Sequence, residues 1–340
     1  MKEEPFILSI GSAVCDTFIE SDDLQSRNIE PKPFLLIEEG AKLHVSRLRR
    51  MAGGGALNAA RCLKHLGFNT AAFFKLAHDE AGVKILQELH NEGIDTHLAI
   101  TNSSTSTATS FILKAPSGNH PILAYRGAND TITFKELPFE AIQKAEGVYL
   151  APLSGEAAAH VDLFAKKAKE KGIPVFHNLN IHQLTSKALE VLKALPFLTA
   201  FMLNHKEAEL FFKVLQAQNG HTKIEFSLQN YCTLILEQGT EIAIVTNGPE
   251  GVFAASKEAF YTCPSTKTTV LNTVGAGDTC GATIFGSLIK GYPLETALIY
   301  GSINSARLLA SATLPPRLFS FSELEVEADR LHITVQKTAR

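Results

Sequence analysis

Short apolar runs alternate with helix-length segments along most of this chain, and no other feature constrains the fold as much. Residues 6–10 read as a buried first strand that ends at Gly11. Residues 53–66 open on three glycines, become helical and close at Gly67. A strand over 70–76 and a helix over Glu80–Asn91 follow, with further strands at 147–150, 174–176, 198–203 and 242–246. Helices fill the gaps at about 155–171, 205–216, 275–290 and 293–310. Repeated β–α alternation implies an α/β fold, a doubly wound, mostly parallel sheet with helices on both faces. Two stretches break the rhythm, at about 12–50 and 97–127. Residues 34–50 alternate as a half-exposed strand pair would. Residues 105–114 and 121–126 read as a hairpin around Ser117-Gly118-Asn119. These pieces are expected to form a small β-sheet lid inserted in one domain spanning residues 1–340, since no internal repeat or linker divides the 340 residues.

The composition excludes several classes of function. Net charge is −3, and the densest basic cluster, Arg47, Arg49 and Arg50, is short and reads as a solvated strand or turn. That is no footprint for nucleic acid. The longest apolar stretches are too short to span a bilayer. The start, Met1-Lys2-Glu3-Glu4-Pro5, lacks the apolar core of a signal peptide. Cys15, Cys62, Cys232, Cys263 and Cys280 are scattered and contain no Cys-x-x-Cys pair. The expectation is reduced thiols in a cytoplasm, with neither a disulfide frame nor a zinc site. His44, His65, His177 and His205 show no metal-ligand spacing.

Chemistry concentrates in Asn272-Thr273-Val274-Gly275-Ala276-Gly277-Asp278. Three small residues precede an acid, and a helix-forming run follows. Backbone N–H groups converge at such a helix start, where the dipole favours anions. A carboxylate there would repel a bound phosphate. It makes sense as a general base that takes a hydroxyl proton while the pocket holds the charge of a transferring phosphoryl group. The competing reading of the motif alone is a tight turn with an Asp cap. No Gly-x4-Gly-Lys-[Ser/Thr] occurs. The dinucleotide fingerprint also fails, because the glycine after Gly275 and Gly277 is Gly281, one position too far. A nicotinamide oxidoreductase is therefore unsupported.

Gly275-Ala276-Gly277-Asp278 near the C-terminus, with Gly53-Gly54 and Asn58 some 220 residues earlier, resembles the two signatures of PfkB-type (ribokinase-like) carbohydrate kinases. Each is modest alone; in this order and together they are specific. The resemblance runs from Ile7 to about Ala312. It implies a kinase that phosphorylates a hydroxyl of a sugar, nucleoside or similar small molecule from ATP with Mg²⁺, and a lid that often mediates homodimers. Residue by residue, Asp278 matches the family's base, and the N–H groups of Gly275, Ala276, Gly277 and Asp278 would hold the γ-phosphoryl. Asp16, Gly53, Gly54 and Asn58 match substrate-binding positions, and a carboxylate suits a sugar diol. Asn204 and Glu207 match an Asn-x-x-Glu motif that helps hold Mg²⁺ through water, although the same spacing caps helices. Thr246, Gly248 and Gly251 fit the nucleotide-side strand and turn, where a plain hairpin is the alternative. Asn178 matches a position near the nucleotide phosphates, and Asn304 one near the adenine. Arg126 ends a lid strand, from which it could reach the acceptor or the phosphate.

One departure matters. Asn272 stands where the family commonly has Asp, which with the carbonyl at position 274 helps bind a monovalent cation in potassium-activated members. Asn keeps an oxygen but not the charge. Weak or absent potassium dependence is expected, so activity should persist when potassium is replaced by a large organic cation at constant ionic strength. A nucleoside kinase of the same family, or a sugar- or nucleotide-binding regulator without turnover, are the alternative readings.

Overall fold

Ile7–Ile10 is fully buried, with Leu8 and Ile10 in one core and Ile7 in the other. A central strand covered on both faces buries every residue in this way, and its one polar side chain, Ser9, donates to the Ala56 carbonyl at 2.8 Å. In the computed structural model, which describes residues 5–30, 32–116, 120–219, 224–311 and 315–340, this strand lies inside a nine-stranded sheet. It pairs in parallel with Thr70–Phe73 on one side and Gly147–Leu150 on the other. Val175–Asn178, Ala200–Asn204 and Ile242–Thr246 continue the parallel order. Val252–Ala255, Ala259–Cys263 and Gln336–Ala339 extend it antiparallel. The doubly wound fold expected from the alternation is what the chain adopts, with helices on both faces.

Helices Val161–Lys169, Ile181–Ala194, His205–Asn219 and Leu228–Glu237 pack one face. Gly55–His65, Ala276–Ile289, Leu294–Leu309 and Phe321–Leu331 pack the other. Local chemistry sets their ends. Asp79 accepts from the Gly82 N–H at 2.9 Å to start Glu80–Asn91, and Ser320 with Glu323 forms a reciprocal capping box. All five cysteines are buried and unpaired. No helix among the described residues is long and apolar enough to cross a membrane.

A four-stranded sheet in the order Ile122–Tyr125, Thr109–Leu113, Val14–Glu20, Arg47–Gly53 stands beside the main one. Its outer pairs are antiparallel and its central pair is parallel, with Asp16 opposite Ser110. Two expectations need correction. Residues 34–50 are not a strand pair of their own. Lys32–Leu36 pairs with Gln25–Ile29, while Arg47–Gly53 joins Val14–Glu20 across the gap. Residues 97–103 do not belong to the small sheet, because Ile100–Ser103 pairs with Lys75–Ala77. The expected turn at Ser117-Gly118-Asn119 lies outside the described residues, although the flanking strands do pair antiparallel.

Candidate active site

Strand order reverses at Ile7–Ile10, and open α/β sheets leave a crevice beyond the carboxyl ends of their strands at such a point. Here Ser12, Pro152, Asn178, Asn204 and Thr246, all at or just past strand ends, line a cleft of about 400 Å³. The small sheet forms the opposite wall. Alternation along a strand puts every second side chain on one face, so Val14 and Asp16, Ser110 and Ile112, and Ile122 and Ala124 all face the cleft.

Asp278 sits on the cleft in the first turn of Ala276–Ile289. Gly275 caps this helix at φ 80°, a left-handed conformation costly for other residues, and a Cβ there would stand 3.2 Å from Asn58 Nδ2. First-turn N–H groups have no acceptor within a helix, which leaves those of Gly277 and Asp278 at the cleft edge. Asn58 Nδ2 donates to one carboxylate oxygen of Asp278 at 2.9 Å, and Asn178 Nδ2 donates to the other at 3.1 Å. Asn178 also donates to the Tyr149 hydroxyl at 3.3 Å. Asp278 keeps an opening to the cleft, yet its carboxyl is walled in by protein. Burial therefore lifts it to about 6; the Asn58 bond pulls down, the Asp16 charge pushes up, and the Asn178 bond pulls down. A carboxyl so tuned is ionised at neutral pH and still basic enough to accept a proton.

Asp16 is buried and lies directly over Gly53, where a Cβ would come within 1.9 Å of its Oδ2. Glycine is required there by this contact. Burial raises Asp16 to about 6, against the Ser110 hydroxyl bond and the Arg61 charge. Glu207 and Asn204 form a reciprocal cap: the Asn204 N–H donates to Glu207 Oε2 and the Glu207 N–H to Asn204 Oδ1, both at 3.0 Å. Both residues also line the cleft, so capping and a place in the site coincide. Burial raises the Glu207 carboxyl, with the Asn204 bonds opposing. Asn272 Oδ1 accepts from the Val274 N–H at 3.0 Å and shapes the turn.

A second groove, of about 720 Å³, runs along Thr246, Gly248, Gly251, Thr266 and Ser302. It shares Thr246, Thr273, Ala276 and Gly277 with the cleft. Two cavities thus meet at one glycine turn, with Asp278 next to the junction.

The structure gathers Asp16, Gly54, Asn58, Arg126, Asn178, Asn204, Thr246, Gly275, Ala276, Gly277, Asp278 and Glu207 on the cleft, and Gly248 and Gly251 on the groove. Gly53 is buried beneath Asp16 and lines neither cavity, and Asn304 lines neither as well. Asn304 is fully buried, donates to Thr283 Oγ1 at 3.1 Å and accepts from the Phe319 N–H at 2.9 Å, which ties helix Leu294–Leu309 to the following segment instead of facing the groove. Asn178 lines the cleft and faces Asp278. His177 points into the core against Phe201, and burial lowers it to about 4. Sequence reasoning missed Ser110 and Tyr149, since their partners lie 94 and 29 residues away and no local pattern marks them.

A model of the pfkB family carbohydrate kinases matches residues 6–312. The chain belongs to this family. It is a carbohydrate kinase, a phosphotransferase with an alcohol acceptor. Among its relatives, a ribokinase of Haemophilus influenzae is 27% identical over 282 residues, covering 80% of this chain and 87% of that protein. A nucleoside kinase of Methanothermobacter thermautotrophicus is 24% identical over 296 residues, covering 87% and 86%. An Arabidopsis thaliana ribokinase complexed with ribose and ATP shares the fold with a TM-score of 0.76 at 19% identity, over 95% of this chain and 98% of that one.

Proposed function

We propose that this kinase transfers the γ-phosphoryl of ATP to a hydroxyl of a sugar-like acceptor held in the cleft, with Asp278 as general base. The observation that supports this best is the junction of the two cavities at Thr273, Ala276 and Gly277 beside a carboxylate tuned to about 6. The acceptor lies against Asp16 and the small sheet; the nucleotide lies in the groove along Thr246, Gly248 and Gly251. Asp278 takes the hydroxyl proton, the freed oxygen bonds to the γ-phosphorus, and the bond to the β–γ bridging oxygen breaks to release ADP. First-turn N–H groups of the helix stabilise the charge on the transferring group. Asn58 and Asn178 hold both carboxylate oxygens and so aim the base. The small sheet acts as a lid that excludes water.

Among the described residues no group of three His, Cys, Asp or Glu side chains could cage a metal. A magnesium ion carried by phosphates and waters needs no cage, and Asn204 with Glu207 on the cleft wall fits that donor chemistry. When bound, magnesium neutralises phosphate charge. Asn272 already accepts from Val274 and carries no charge, so no potassium requirement is expected.

The test is ADP release from Mg·ATP across pentoses, hexoses, sugar acids and nucleosides. Turnover on a sugar supports the reading. Turnover confined to nucleosides replaces the acceptor, and tight sugar binding with no turnover on any compound leaves the regulator.

A further inference from the structure

Arg126 is the one cationic side chain among the described residues that line the 400 Å³ cleft. Three carboxylates, Asp16, Glu207 and Asp278, line the same cleft, yet the guanidinium bonds to none of them and has no other side-chain partner among the described residues. The two buried cations, Arg61 and Lys75, behave differently: Arg61 is bound to Glu92 at 2.6 Å and Lys75 to Glu136 at 2.7 Å. The partly exposed Arg126 guanidinium keeps its five donors for a ligand in the cleft. Its backbone is well fixed. The Ala128 N–H donates to the Ser106 carbonyl at 2.9 Å, and Asn129 holds both the N–H and the carbonyl of Ala13, at 3.3 and 3.0 Å. Arg126 directly follows the strand Ile122–Tyr125, opens the turn Gly127–Thr131 and lines the cleft beside Ile122 and Ala124. A rigid turn thus presents an unpaired cation to the acceptor side of the cleft.

We propose that the acceptor is a polyol carrying an anionic group, a carboxylate or a phosphate, which Arg126 receives while Asp16 takes a hydroxyl pair. This rests on the cleft being the acceptor site. A neutral sugar would leave Arg126 without a counter-charge. An anionic acceptor without Arg126 would face three carboxylates and an incoming nucleotide triphosphate. Arginine also suits the task, because its planar fork matches a carboxylate or phosphate with two parallel bonds.

The experiment pairs turnover with calorimetry, on wild type, Arg126→Ala and Arg126→Lys, with thermal unfolding to check that each folds. The probes are five- and six-carbon aldoses, their aldonic acids and their terminal phosphates, which separates the two anion sources. The expected result is a preference for one anionic series over the parent aldoses. In Arg126→Ala the KM and Kd for that series rise about 10- to 100-fold, with kcat and the ATP KM nearly unchanged. Arg126→Lys falls between. Equal binding of anionic probes by wild type and Arg126→Ala overturns the proposal, as does binding of neutral aldoses alone. A variant that loses kcat or ATP affinity but keeps acceptor KM also overturns it, and assigns Arg126 to the transferring phosphoryl. If nothing turns over, binding of the anionic probes still decides the proposal, while the kinase reading alone fails.

Discussion

At Asp278 two asparagines from distant parts of the chain converge on one carboxylate, Asn58 on one oxygen and Asn178 on the other. The residue types were legible, because an acid after small residues at a helix start has few uses. The tasks of the two asparagines were not, since a spacing of 220 or 100 residues carries no geometry. Two predictions belong here. Burial first, with the Asp16 charge adding, raises Asp278 to about 6. Only the ionised form accepts a proton, so kcat/KM should rise with pH through about 6 and level off above it. In Asp16→Asn a repelling negative charge is gone, Asp278 ionises more easily, and this limb should move to lower pH. A profile flat from pH 5 to 8, or a limb that moves up, contradicts the assignment. Gly277 gives the second. A Cβ built there meets no protein atom within 4 Å. Gly277→Ala should leave the thermal midpoint level or raise it, since alanine favours a helix by up to about 1 kcal/mol over glycine. If the transferring phosphoryl uses that space, the same variant should lose about tenfold or more in kcat/KM. Full activity would mean the space is not used.

At the level of elements, the strand Arg47–Gly53 is held by a helix pair. The Arg61 guanidinium donates to the Ala52 carbonyl and to Glu92, and Glu88 accepts the Ala52 N–H at 2.8 Å. Ala52 directly precedes Gly53, over which Asp16 lies. Arg61→Leu would leave Glu88 and Glu92 without their counter-charge. The two carboxylates are 24% and 25% exposed and stay partly solvated, so denaturant unfolding should show a loss of about 1–3 kcal/mol, with a raised acceptor KM in the protein that remains folded. A loss under about 1 kcal/mol would show that the cluster is not what fixes the strand. Elements with a strong local signal were readable: Glu80–Asn91, Gly147–Leu150 and Ile242–Thr246 match the sequence expectation end to end. Gln336–Ala339 could not be read, because all four residues are exposed and only pairing with Ala259–Cys263 makes it a strand. The small sheet was half legible for the same reason, its central Asp16–Ser110 register joining segments 94 residues apart.

Across the whole molecule, several of the large apolar side chains left exposed lie on the small sheet and on the strand pair Gln25–Ile29 and Lys32–Leu36, while others such as Val326 lie elsewhere. Phe34, Leu48, Phe111, Leu123 and Tyr125 are each at least 43% exposed. Phe111 lies directly opposite Leu123 on the small sheet; an apolar sheet face suits an interaction site, and a second copy of the chain is the proposed partner. Light scattering should give a dimer, and Leu123→Lys should shift it towards monomer; a wild-type monomer at micromolar concentration would refute the idea. The central claim is that Asp278 is the base at the junction of two cavities, and it can be tested without knowing how the chain assembles. The most direct measurement is kcat of Asp278→Asn on the best acceptor, with Kd values for ATP and acceptor from calorimetry. The account predicts kcat lower by about 10²–10⁴ with both Kd values within a few-fold of wild type. Retained kcat, or a loss that appears only in the Kd values, would contradict it.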